Sequence, residues 1–156
     1  MTLEELIRNH RFTHGLAPEY VTRLAGLATE VQFDEDALVL EEGPISEHLY
    51  LLLSGSVAVE LRTPRFTVCV QAVGAGEAFG WSALLDGQGS CFQVRAREPI
   101  RALRLSGRDV VKLCRGDGQL GTELLLRALK LVAGRVKATE ERFAEMCGVR
   151  LQTAAD

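Results

Sequence analysis

Residues 49–61 read LYLLLSGSVAVEL, and this stretch decides the fold. Leu49–Leu53 and Val57–Leu61 are two short apolar runs, and Ser54-Gly55 between them is a hairpin-type signal. Glycine at position 55 reaches positive φ without steric cost, which a tight reversal needs. The same grammar repeats outward from the hairpin. Val31–Phe33 and Leu38–Leu40 flank an acidic turn, Asp34-Glu35-Asp36, and Gly43 is expected to supply another reversal of the same left-handed kind. Phe66–Val73 follows a turn containing Pro64. Cys91–Ala96 and Ile100–Leu105 are parted by Glu98-Pro99, where proline ends one strand and starts the next. Short strands at such regular spacing predict a roll, barrel or sandwich over 31–105.

Helical patterns flank the strands. Leu3, Leu6 and Ile7 form one stripe within residues 3–9. Pro18 suits a first helical turn, and the helix it opens is predicted to reach about Glu30, burying Val21, Leu24, Ala25 and Leu27. Ser106 is placed to cap a helix over Gly107–Leu113, and Gly116-Asp117-Gly118 breaks it. A long helix then runs from near Gln119 to about Cys147, on the order of 40 Å, with Gly148 in the position favoured after a C-terminus. The prediction is one mainly-β domain over 1–156: N-terminal helices to residue 30, a β-roll over 31–105, helices over 106–148 and a tail over 149–156.

Along the long helix, Leu125, Leu129, Val132, Val136, Thr139, Phe143 and Met146 advance by alternating steps of four and three, a heptad seam. Leu120, Leu124, Ala128 and Leu131 offer a second apolar face. One face can pack on the roll while the other meets a second copy, so a homodimer through this helix is expected.

Composition excludes several classes of function. Apolar residues make up 47% of the chain and charged residues 25%, the balance of a globular protein rather than a disordered or fibrous one. No apolar stretch approaches the length of roughly 18 residues that a membrane span requires. The acidic, amphipathic N-terminus is unlike a secretory signal, so a cytoplasmic protein without membrane attachment is expected. A net charge of −3 does not advertise nucleic-acid binding. The few residues after Gly148 are too short for a DNA-reading unit, so no direct nucleic-acid partner is expected. Cys69, Cys91, Cys114 and Cys147 lie far apart without a CxxC pair, and His10, His14 and His48 are scattered. No metal site, catalytic residue or cofactor is therefore expected.

Several separated signatures, in order, make the chain resemble the cyclic nucleotide-binding domain family, which includes the catabolite activator protein and the regulatory subunit of protein kinase A. They are Glu41-Glu42-Gly43, the run Leu49–Val57, Gly76-Glu77-Ala78-Phe79-Gly80 and Val94-Arg95-Ala96. Ala133-Gly134-Arg135-Val136 resembles the start of the family's ligand-capping helix. The resemblance implies a jelly-roll-like β-roll and a sensing role rather than catalysis. It also implies a ligand site near Gly80, Trp81, Ser82 and Ala83, whose backbone amides would face an anion.

The chain departs from the family at two polar contacts. Trp81 stands where a glutamate normally binds the ribose, and Ser90 stands where an arginine normally pairs with the cyclic phosphate. A buried phosphate left without its partner costs about 3–5 kcal/mol, or about two to three and a half decades of affinity. Trp81 either lines a remodelled pocket or fills space a ligand would occupy; Gly-Trp-Ser-Ala-Leu at 80–84 resembles stand-alone bacterial members that lack the usual cassette. Arg95 and Arg97 share a strand face with Cys91 and Gln93, a face that points either into the roll or away from it. Thr139 matches the first residue of a threonine–serine pair with which the family's capping helix touches adenine, and Glu140 does not match the second.

Three readings follow. The first is a dimeric regulatory domain whose pocket has left cyclic nucleotides for another small anionic ligand or a protein partner. The second is a cyclic AMP or cyclic GMP sensor with a nucleotide-like ligand held by Ser82, Ser90 and Thr139; Cys91, beside Ser90, is a further candidate of the ligand site. The third is a structural dimerisation module with a closed pocket.

Overall fold

The computed structural model describes residues 1–43, 45–85 and 89–149. The predicted tail, beyond Val149, lies outside the described residues. Helix α1 (Leu3–Asn9) opens with a reciprocal cap: the Glu5 amide donates to Thr2 Oγ1 at 3.2 Å, and the Thr2 amide donates to the Glu5 carboxylate at 2.8 Å. A 3₁₀ turn (Arg11–Thr13) and α2 (Pro18–Ala25) follow. Eight strands come next: β1 (Ala28–Phe33), β2 (Leu38–Leu40), β3 (His48–Ser54), β4 (Ser56–Arg62), β5 (Thr67–Gly74), β6 (Ala78–Phe79), β7 (Gln93–Ala96) and β8 (Ile100–Ser106). Helices α3 (Gly107–Gly116) and α4 (Gly118–Met146) close the chain. The strands form two four-stranded antiparallel sheets, ordered β1-β8-β3-β6 and β2-β7-β4-β5. This is the jelly-roll-like β-roll with flanking helices that the sequence predicted.

The unbroken apolar run at 49–53 has a simple cause. Strand β3 is buried on both faces, so alternation disappears. Tyr50 and Leu52 point between the sheets, where they meet Val57, Val59, Phe79, Val94, Ile100 and Ala102. Leu51 points the other way, with Leu103 and Leu105, into a second core under α1, α2 and the start of α4. Each fully buried leucine stabilises the fold by roughly 1.5–3 kcal/mol. The SG turn behaves as read, with Gly55 at φ +83°; a Cβ there would lie 2.7 Å from the Pro99 carbonyl oxygen.

Helix α3 runs on to Gly116 rather than ending at Leu113, so Asp117 alone separates it from α4, and several other boundaries and one turn differ from expectation. Helix α2 ends at Ala25 rather than near Glu30, and β1 begins at Ala28 rather than Val31. Pairing with β8 wins there: Thr29 and Val31 are β-branched, and Glu30 accepts from Arg101 Nε at 2.9 Å across the ladder. Strand β5 starts at Thr67, because Thr63 Oγ1 holds the Phe66 amide in the preceding turn. Strand β7 starts at Gln93 rather than Cys91, because Ser90 Oγ bonds both the amide and the carbonyl of Phe92 and holds a local turn. Gly43 is not left-handed; it exchanges two backbone hydrogen bonds of 3.0 Å with Ser90.

His10 ties the helical layer to the roll. It is 4% exposed, its Nε2 donates to the Leu52 carbonyl at 2.9 Å, and its Nδ1 accepts from the Phe12 amide at 3.1 Å. The bond to Nδ1 requires that nitrogen unprotonated, and with Nε2 donating this fixes the neutral ring. Burial accordingly lowers its pKa below the ordinary 6.5. Above the unfolded value the ring is neutral in both states and its contribution is complete. Below it the unfolded chain takes the proton first and stability falls. Urea midpoints should therefore drop between about pH 7.5 and about pH 5.5, and His10→Gln should flatten that slope in part. Some slope should persist in the variant, since burial and nearby Arg104 lower the pKa of His48 as well.

Candidate functional site

The site forms where β6 leaves the roll. Phe79 stacks on Tyr50 between the sheets, with ring centroids 5.0 Å apart and planes 9° from parallel. The next residue has no room for a side chain: a Cβ on Gly80 would lie 2.6 Å from the His48 carbonyl oxygen. Gly80 therefore turns left-handed, at φ +82°, and starts the 3₁₀ turn Trp81–Leu84. That reversal sends the Trp81 side chain outward to the mouth of the roll. There it lines a cavity of about 170 Å³ with Leu40, Phe92 and Val94 as apolar wall.

Of the residues singled out in the sequence, Gly80, Trp81, Ser82, Ser90 and Cys91 come together around this cavity. Ser82 donates to Ser46 Oγ at 2.8 Å, and Ser90 Oγ is committed to Phe92. Ala83 and Thr139 do not line it. Ala83 packs against Gly107 at the head of α3, where any Cβ would meet its carbonyl group, and its amide donates to the Gly80 carbonyl at 3.1 Å. Thr139 is exposed on α4 and donates to the Arg135 carbonyl at 2.8 Å.

The cation at the site comes from the long helix. Arg135 lines the cavity, with its guanidinium carbon 5.2 Å from the centroid of Phe92 and 6.0 Å from that of Trp81. Its Nε donates to Gln71 Oε1 at 2.8 Å, and burial pulls its pKa below the ordinary guanidinium value. The sequence placed Arg135 in the capping-helix run but gave it no role. A heptad reading marks the outward seam, and nothing in it reports which flank residue reaches the roll.

Arg95, the nearest candidate in sequence, faces away. Its Nη1 donates to the Asp36 carbonyl at 2.8 Å, and its Nε lies 3.3 Å from Glu60, which also accepts from the buried Gln93 at 2.9 Å. Val94 and Ala96 take the inward positions. Arg97 is exposed. Among the described residues, no three His, Cys, Asp or Glu side chains gather as a metal site, and no helix is long and apolar enough to cross a membrane.

Helix α4 carries a second feature. Leu120, Leu124 and Ala128 are buried against the body, and Arg142 Nε donates to the Cys69 carbonyl of β5 at 2.9 Å, seven residues beyond Arg135. The seam opposite is bare. Leu125 is 70% exposed, Leu129 60%, Val136 49%, Phe143 69% and Met146 64%; Val132 is half-buried.

The sequence profile of the cyclic nucleotide-binding domain matches residues 30–117. No curated protein sequence matches the chain. Solved structures share its fold. A candidate cyclic nucleotide-binding protein from Geobacter metallireducens is 26% identical with a TM-score of 0.76, covering 87% of this chain and 99% of that one. A cyclic nucleotide-binding domain from Methylobacillus flagellatus is 23% identical with a TM-score of 0.76, covering 98% of this chain and 85% of that one. The regulatory subunit of a cAMP-independent protein kinase A from Trypanosoma brucei, in a substituted form bound to cAMP in its A site, is 21% identical with a TM-score of 0.71. That match covers 93% of this chain and 50% of the kinase subunit.

The geometry at Gly80 makes a sharp expectation. Gly80→Ala combines a strained φ with a backbone clash and should destabilise the protein by at least about 1–3 kcal/mol in urea unfolding. Gly74→Ala, whose Cβ would enter open space, should change stability by less than about 0.5 kcal/mol.

Proposed function

The chain belongs to the cyclic nucleotide-binding domain family, and from that premise we propose a non-catalytic regulatory module whose pocket has diverged from cyclic nucleotides. It works in the cytoplasm and answers to another small ligand or to a protein partner. The observation that carries this reading is the cavity itself. An engineered cavity of about 150 Å³ holds a benzene molecule. A pocket of about 170 Å³, open to solvent on one side, walls in space for one ring rather than for a sugar, a base and a phosphate together. Trp81 and Ser90 line it at the two places where the resemblance leads one to expect a ribose-binding glutamate and a phosphate-binding arginine. A cAMP-independent regulatory subunit among the structural neighbours supports the view that this fold and a response to cyclic AMP are separable.

The bare seam of α4 supports a second part of the reading, a homodimer formed by pairing this helix with that of another copy. Five large apolar side chains at heptad positions, each about half exposed or more, are costly to leave in water. Pairing two such seams about a two-fold axis buries them at once.

Calorimetric titration with cyclic AMP and with cyclic GMP should give no heat up to about 1 mM. A dissociation constant in the low micromolar range would overturn the diverged-pocket reading. In sedimentation experiments the wild type should run as a dimer and Leu129→Glu/Phe143→Glu as a folded monomer; an unchanged dimer in the double variant would remove α4 as the interface.

A further inference from the structure

We infer that the cavity lined by Arg135 is a binding site for a small monocarboxylate carrying a single planar apolar ring. The inference rests on the diverged-pocket reading above and names the class of ligand it takes. Three observations lead to it, none of which involves the cassette amides.

The first is charge. Arg135 is partly buried, and a guanidinium stays protonated in proteins. Among the described residues its guanidinium hydrogen-bonds only the neutral Gln71, and no carboxylate forms an ion pair with it. A partly desolvated cation without a counter-charge favours binding an anion.

The second is geometry. Because Nε is committed to Gln71, the two Nη groups remain as an end-on fork, which matches the two oxygens of one carboxylate. The aliphatic stem and guanidinium plane are held beside Phe92 and Trp81, so less side-chain freedom is lost when the fork engages.

The third is size and lining. The space beyond the cation is bounded by Leu40, Val94, Phe92 and Trp81, and about 170 Å³ suits one ring and its carboxylate. A bare inorganic anion would leave that apolar wall unused. A doubly charged phosphate ester would bring more charge than one guanidinium neutralises.

Trp81 is the only tryptophan in the chain and lines the cavity, so its emission reports the site directly. The probe is benzoate, titrated into the full chain. It should change Trp81 emission saturably. Benzyl alcohol, which keeps the ring and loses the charge, should bind at least about tenfold more weakly, and so should inorganic phosphate, which keeps charge and loses the ring. Arg135→Met, which retains an unbranched apolar stem, should weaken benzoate at least about tenfold while leaving the circular dichroism spectrum unchanged.

Equal binding of benzoate and benzyl alcohol would overturn the assignment, and this comparison holds even if Arg135→Met perturbs folding. The absence of a saturable signal up to about ten millimolar benzoate would overturn it too. The two readings fail separately. Benzoate silent and cyclic AMP silent defeats the ligand class and leaves the diverged pocket standing; cyclic AMP binding in the low micromolar range defeats both.

Discussion

The structure depends on how the space between its two sheets is filled. A roll of short strands encloses a volume that must hold close-packed side chains or a ligand. Here the chain fills the deep part itself, with Tyr50 stacked on Phe79 and Phe33 meeting Tyr50 edge-on at 6.3 Å. Burial raises the Tyr50 pKa, so the ring stays neutral at any physiological pH. From that stack the rest of the site follows. No Cβ fits after Phe79, so the chain reverses through Gly80. The reversal places Trp81 at the rim, and only a shallow chamber is left between the rim and the long helix.

Helix α4 completes that chamber and is held in two ways. Its first turns are fixed by buried Leu120, Leu124 and Ala128. Beyond them Ala144 is the one buried apolar residue, and the hydrogen bonds to β5 run from Arg135 to Gln71 and from Arg142 to the Cys69 carbonyl. A hydrogen bond of this kind contributes about 1 kcal/mol net. The outer half of the helix is thus attached less firmly than the inner half. Arg135 lies on the same turns as Val132 and Val136 of the bare seam. Arg135 therefore stands within one helical turn of the face proposed to meet a second copy.

Much of the fold was legible because its signals are local. The hairpin at 54–55, the cap at Ser106 and the stop at Gly148 are each decided by residues a few positions apart. Gly55 and Gly148 take the left-handed backbone, and Ser106 Oγ accepts from the Asp109 amide. The starts of β5 and β7 turn on local side-chain bonds from Thr63 and Ser90, and the other differences fall where long-range pairing outweighs local preference. Residues 28–30 read as helix until β8 is present to pair with them, and Gly43 reads as a turn until Ser90 bridges it. The site was legible in part for the same reason. Gly80, Trp81, Ser82, Ser90 and Cys91 could be gathered from two cassette segments, whereas the direction of Arg95 required knowing which face of β7 lies inward. Arg135 could not be found at all from periodicity, because its role is set by the rotation of α4 against β5.

Arg135 lines the pocket and, through Gln71, ties the outer half of α4 to the roll. Hydrogen exchange along the backbone, compared between wild type and Arg135→Met, tests this tie most directly. If Arg135 is that tie, exchange will quicken in α4 beyond residue 131 and in β5 around Cys69–Gln71, while β3 and β8 stay protected. Unchanged protection in both α4 and β5 would contradict it, because the helix would then be held by something other than this arginine.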